Sequence, residues 1–150
     1  MTSASIEVER PAAEVFSYAT DPSRFHEWQQ GVVSGSMGSK GAPAVGDKCL
    51  TTRRIGGAER PATSEVVRLD PPRAWAVRGI DGPIRAQVEV SVEPLTDQRS
   101  RLTIAVDFQG HGIGKVLVPL VVRRQARAEM PGNIAKLKER VEAPPIGQSP

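Results

Sequence analysis

The feature that most constrains this chain is a change of hydrophobic period at Gly110-His111-Gly112. Upstream of it two consecutive segments alternate with period two. Ile84, Ala86, Val88, Val90 and Val92 stand against Arg85, Gln87, Glu89, Ser91 and Glu93, and Leu102, Ile104, Val106 and Phe108 stand against Arg101, Thr103 and Asp107. Each is a strand with one wet and one apolar face, and the short polar link from Pro94 to Ser100 makes the two neighbours. Downstream, Ile113, Val116, Leu117, Leu120, Val121, Ala128, Ile134, Leu137 and Val141 recur at steps of three and four, the period of one long helix. A sheet with a single apolar face needs a cover, and this is the only large apolar helix the chain offers. Pro119 and Pro131 interrupt it, and a helical proline removes a hydrogen bond and crowds the carbonyl four residues earlier, so a kink or break is expected near Met130.

The rest of the chain supplies the sheet's other strands. Ser3 to Arg10 alternates, with Ile6 and Val8 opposite Glu7 and Glu9, and ends at Pro11. A short amphipathic helix follows over Ala12 to Ala19, then a second from Pro22 to Gln29 carrying Phe25 and Trp28. Gly35 to Gly46, rich in Gly, Ser, Pro and Ala, reads as a loop or flap. Asp47 to Ile55 is a strand with Cys49, Thr51, Arg53 and Ile55 on one face, Thr63 to Leu69 another, closed by Asp70-Pro71-Pro72, and Trp75 to Arg78 a third. The order is one strand, two small helices, about six strands and a long helix. With 150 residues, 39% of them apolar, this fits a single α+β domain over residues 1–143. The proline-rich residues 144–150 form an expected disordered tail.

Four local patterns, in this order and spacing, resemble the START-like (SRPBCC) superfamily. That group includes the polyketide cyclase/dehydrase and lipid-transport proteins and the Bet v 1-type pollen allergens. The patterns are Glu9-Arg10-Pro11-Ala12-Ala13-Glu14-Val15-Phe16, Asp21-Pro22 followed six residues later by Trp28, Asp70-Pro71-Pro72-Arg73, and the terminal run Asn133 to Glu142. Together they cover residues 3 to 142. The resemblance implies a helix-grip fold, a curved antiparallel sheet of about seven strands around the C-terminal helix, with two short helices after the first strand. It also implies a cavity between sheet and helix that takes lipids, polyketides or other small apolar molecules. It does not imply an activity, because one fold hosts carriers and enzymes alike.

The residues themselves offer little for catalysis. His26 and His111 alone would titrate near neutral pH, and neither has a partner in the sequence pattern, one beside Glu27 on a small helix and the other between two glycines. No Gly-x-Ser-x-Gly elbow occurs, and no His, Cys or carboxylate ligands stand at helical or hairpin spacing, so neither a catalytic set nor a metal or other cofactor is expected. Candidate ligand-binding positions are Trp28, Cys49, Thr51, Arg53, Trp75, Val88, Val106, Leu120 and Arg124. The two tryptophans offer large apolar faces, and the β positions follow from strand parity. Leu120 and Arg124 follow from the helix. Cys49 is expected to behave as a small buried apolar residue. Arg53 shares its parity, so it either needs an anionic partner in the hollow or has twisted out to solvent, the latter being the commoner outcome.

Charge adds little further. A formal net charge of +3 arises from interleaved rather than clustered residues, which permits but does not indicate nucleic-acid binding. The first ten residues show no secretory signal, and Ile113 to Val122 is too short and too interrupted to span a bilayer. A cytoplasmic monomer or homodimer without membrane insertion is therefore expected. A carrier of a small apolar ligand ranks first, since it needs only the cavity. A polyketide cyclase or dehydratase, drawing on Thr51, Arg53, Gln87 and Arg124, ranks second, and a protein-interaction module third.

Overall fold

The computed structural model describes residues 2–38, 43–55, 57–82 and 84–143. In chain order they form β1 (Thr2–Val8), α1 (Ala12–Ala19), a 3-10 turn at Pro22–Arg24, α2 (Phe25–Trp28), β2 (Val32–Met37), β3 (Lys48–Ile55) and β4 (Ala58–Asp70). β5 (Ala74–Gly79), β6 (Ile84–Thr96) and β7 (Arg99–Gly110) follow, then α3 (Gly114–Leu117), a π turn at Val118–Val122 and α4 (Arg123–Glu142). All seven strands join one curled antiparallel sheet in the order β1-β7-β6-β5-β4-β3-β2. This is the helix-grip arrangement that the sequence implies.

The alternation of β6 and β7 becomes a ladder in which Ala86 opposes Phe108, Val88 opposes Val106 and Val90 opposes Ile104. Their apolar partners point to the concave side, where Val90, Val92, Leu102 and Ile104 are buried. Register shifts at Val32/Ser34 and Val66/Arg68 add local twist to the β2–β4 half of the sheet. Met130, Ile134 and Leu137 of α4 enter the same core as Val8, Val15, Phe16 and Phe25, so one continuous cluster joins all three layers.

The far end of α4 is locked to β1 by polar contacts. The Glu9 backbone N–H donates to Glu142 Oε2 (2.7 Å), Arg10 Nη2 donates to the Glu142 carbonyl (2.5 Å), and Lys138 Nζ donates to the Glu7 carbonyl and to Glu142 Oε2 (both 2.8 Å). Partial burial pushes the Glu142 carboxyl up. The Glu9 N–H and the Lys138 ammonium outweigh it and hold the group below the usual carboxylate range.

Three expectations change. Val32–Met37 is a strand rather than the start of a flap, paired to β3 with Met37 opposite Cys49; residues 39–42 of the expected loop lie outside the described residues, as does the expected tail 144–150. Sequence pattern missed β2 because Ser34, Gly35 and Ser36 contribute hydrogen bonds but no apolar alternation. Gly35 is required where it stands, since a Cβ there would come within 2.4 Å of the Pro22 carbonyl oxygen. The expected break near Met130 is absent: α4 runs unbroken through Pro131, whose exposed position leaves the freed carbonyl on the wet side of the helix. The irregularity falls earlier, at the π turn containing Pro119.

That turn decides which residues face inward. Val118, Val122, Ala126 and Met130 stand four apart along the inner side, a spacing that the wider winding permits. Extrapolating the helical period back from Leu137 instead selects Leu120, which is 62% exposed, and Ile113 and Val116 are exposed with it.

Two substitutions test this packing in opposite directions. A Cβ at Gly110 would lie 2.1 Å from the Gly114 carbonyl oxygen, so Gly110→Ala is expected to lower unfolding stability by about 1–3 kcal/mol. Gly132, inside α4 with nothing near its Cβ position, should gain about 0.5–1 kcal/mol as Gly132→Ala. Urea unfolding of both variants checks the pair, and equal effects would contradict the geometry. Because the carboxyl of Glu142 is held below its unfolded value, its contribution is present above about pH 4.5 and is lost as pH falls through the folded value. Glu142→Gln should cost about 1 kcal/mol at pH 7, with wild type and variant converging as the pH falls through the folded value.

Candidate functional site

A cavity of about 120 Å³ lies between the concave face of the sheet and α4. Its inner wall is aromatic: the Phe25 ring meets Trp28 edge-on at 5.9 Å and Trp75 at 6.2 Å between centroids. Val77, Val88, Val90, Ile104 and Val106 form the floor from β5, β6 and β7, and Ala126 and Met130 of α4 form the roof. Polar groups gather on β3 and β4, where Thr51, Arg53, Arg60 and Ser64 face inward, joined by Gln29 after α2 and Asn133 of α4.

Strand parity places β3 as expected. Cys49, Thr51, Arg53 and Ile55 all line the cavity from one face of that strand. Trp28, Trp75, Val88 and Val106 line it too, so seven of the nine candidate positions come together. Leu120 and Arg124 do not: both are exposed on the outer side of the helical segment, for the reason given by the π turn. Gln87 is exposed on the outer face of β6. Arg53 has not twisted out to solvent. Its Nη1 donates to Gln29 Oε1 (2.9 Å), and burial lowers the guanidinium from its ordinary value, partly offset by Cys49 and Glu129.

The sequence pattern missed several lining residues. Phe25, Ala126, Met130 and Asn133 lie on helices whose register is set by packing. Arg60 was overlooked because β4 begins at Ala58, five residues before the expected strand. Running the alternation of Ser64 and Val66 backward to Ala62 and Arg60 would have found it.

No carboxylate or imidazole lines the cavity among the described residues. His26 and His111 are both exposed. Among the described residues no group of three His, Cys, Asp or Glu is placed to hold a metal ion. The Cys49 thiol is pushed up to about 11 by burial, with Arg53 pulling the other way, so it is protonated at neutral pH and a poor nucleophile. Tyr18, which donates to Glu27 Oε1 (2.8 Å), also has its hydroxyl held well above the ordinary range by burial and by Glu27, but it stands outside the cavity. What the arrangement offers is an apolar chamber with hydrogen-bonding and cationic groups at one side.

Fold and chamber together define a helix-grip protein. The profile described as polyketide cyclase / dehydrase and lipid transport matches residues 2–142, and the chain belongs to that family. Its fold is shared with a START superfamily protein from Mycobacterium smegmatis (TM-score 0.75, 17% identity, 94% of this chain and 96% of that one). It is also shared with the Zhui aromatase/cyclase from Streptomyces sp. R1128 (TM-score 0.72, 17% identity, 99% and 98%). The di-domain ARO/CYC BexL from the BE-7585A biosynthetic pathway matches with a TM-score of 0.69 at 17% identity over 94% of this chain, which spans about half of that protein (46%). At these identities the likeness is one of fold. No curated protein sequence matches the chain significantly. Among the described residues no helix is long and apolar enough to cross a membrane.

The state of Cys49, which is 2% exposed, is directly measurable. At pH 8 the native protein should release no colour with Ellman's reagent over an hour, and one equivalent per chain once unfolded in guanidinium. Complete reaction within minutes in the native state would contradict a buried, protonated thiol.

Proposed function

We propose that this protein binds a small apolar molecule in the chamber beneath α4 and acts as its carrier or sensor. The observation that supports this reading is the chamber itself: aromatic and aliphatic walls, a few polar groups, and no lining carboxylate or imidazole among the described residues. Apolar cavities of about 150 Å³ hold a benzene-sized guest, so this one suits a compact ring system or the end of a chain. Burying about 300 Å² of guest surface gains about 7 kcal/mol before association costs, enough for micromolar binding at best.

A cyclase or dehydratase of polyketide-like substrates is the second reading, favoured by Thr51 and Arg53 facing the chamber, where they can polarise a carbonyl. It lacks a general acid or base among the described lining residues, since the thiol of Cys49 and the guanidinium of Arg53 do not exchange protons readily near neutral pH. Binding therefore ranks ahead of turnover.

Organic extraction of the purified protein followed by mass spectrometry should recover a stoichiometric apolar guest. Val106→Phe, which fills the chamber from β7, should lower that occupancy about tenfold or more while leaving the folded state intact by circular dichroism. Equal guest content in the two proteins would place the guest elsewhere, and a guest chemically transformed on incubation would favour the enzyme.

A further inference from the structure

Arg53 on β3 and Arg60 on β4 are direct cross-strand partners. Residues so placed project to the same face, and both line the chamber. Like charges directly opposite one another repel, and partial removal from water adds to that cost. Among the described residues neither forms an ion pair, and the one carboxylate that acts on Arg53, Glu129, stands in the cleft on its outer side rather than in the chamber. Arg53 has only the neutral Gln29 Oε1 as a hydrogen-bond partner, and Arg60 Nε is buried without any. A second orphan donor, Trp28 Nε1, lies on a chamber-lining residue that is 5% exposed.

The position of the pair within the chamber gives it meaning. Counted along the strand ladders, Arg53 and Arg60 stand near the β3–β4 hairpin, four rungs beyond the Cys49–Ser64 pair, whereas the Phe25, Trp28 and Trp75 wall stands on the other side. Arg53 also lines the small cleft on its outer side with Gly31, Gln125 and Glu129, and Arg60 lines the groove over β2–β4. The two guanidiniums therefore sit where the chamber meets the surface.

We propose that the guest is an amphiphile with an oxyanion head, its apolar body against the Phe25–Trp75 wall and its carboxylate or phosphate between Arg53 and Arg60. The inference rests on the apolar-guest reading above and adds the chemical class of the guest. Guanidinium forks suit both oxyanions, since each offers parallel N–H donors to a pair of oxygens. Binding would discharge the repulsion of the pair and satisfy the Arg60 donor in one step. The stretch from Phe108 to Ala128 carries no Asp or Glu, and the next residue, Glu129, lines the cleft beside Arg53 but not the chamber.

Calorimetric titration with three guests of one benzene-sized skeleton tests the proposal: benzoate, phenyl phosphate and neutral benzamide. At least one of the anions should bind about tenfold or more tightly than the amide, and the tighter anion identifies the head group. In Arg53→Met and Arg60→Met that preference of the anion over the amide should fall to about threefold or less. The unliganded variants should melt at or above the wild-type temperature, because each loses a charge that the empty chamber leaves unpaired. If the amide binds as tightly as the anions, or if both variants keep the preference, the oxyanion inference is overturned while the apolar-guest reading stands. If no guest of the three binds and extraction recovers none, both fall.

Discussion

Everything functional here depends on α4 being held across the concave face of the sheet without filling it. The hold is applied at the far end of the helix, where Leu137 and Ile134 enter the main core and Glu142, Lys138 and Arg10 tie the last turn to the end of β1. Toward Arg123 the helix turns small, and Ala126 with Met130 roofs the chamber instead of plugging it. One end supplies stability and the other leaves room. A helix packed tightly along its whole length would have been more stable and would have had no interior to offer.

The chamber divides its chemistry by strand. β5, β6 and β7 contribute valines, two isoleucines, Ala86, Phe108 and Trp75, side chains with no polar atom except the indole nitrogen. β3 and β4 contribute the thiol, hydroxyls and guanidiniums. The burial that keeps Cys49 protonated also lowers the Arg53 guanidinium from its ordinary value, so the same dry environment makes one group inert and the other demanding. Natural cores seldom leave arginines in that condition, and sites that do are commonly those where a ligand completes the balance.

The helical cover shows how a small irregularity redirects a face. With Pro119 in its path, the chain winds as a π turn, and Val118 and Val122 join Ile55, Ile84 and Phe108 in a second, smaller core at the hairpin end of the chamber. Leu120 and Ile113, more apolar than most surface residues, are left in solvent. Pro131, by contrast, disturbs nothing, because its missing hydrogen bond falls on the outer side.

The sequence by itself determined the elements whose pattern is local. Period two in Ile84–Val92 and Leu102–Phe108 dictated two one-sided strands, parity put Cys49, Thr51 and Arg53 on one face, and the change of period after Gly112 dictated the covering helix, because side-chain direction within a regular element follows from backbone geometry alone. What only the tertiary structure decided is whatever depends on pairing across the chain. β2 exists because β3 supplies its hydrogen bonds, Arg60 matters because the β3–β4 register sets it opposite Arg53, and Leu120 and Arg124 face outward because packing against β7 and the π turn fixed the rotation of the helix. Local spacing carries no record of which strand lies alongside or how far a helix is rolled, and the composition of the chamber is a property of those two choices.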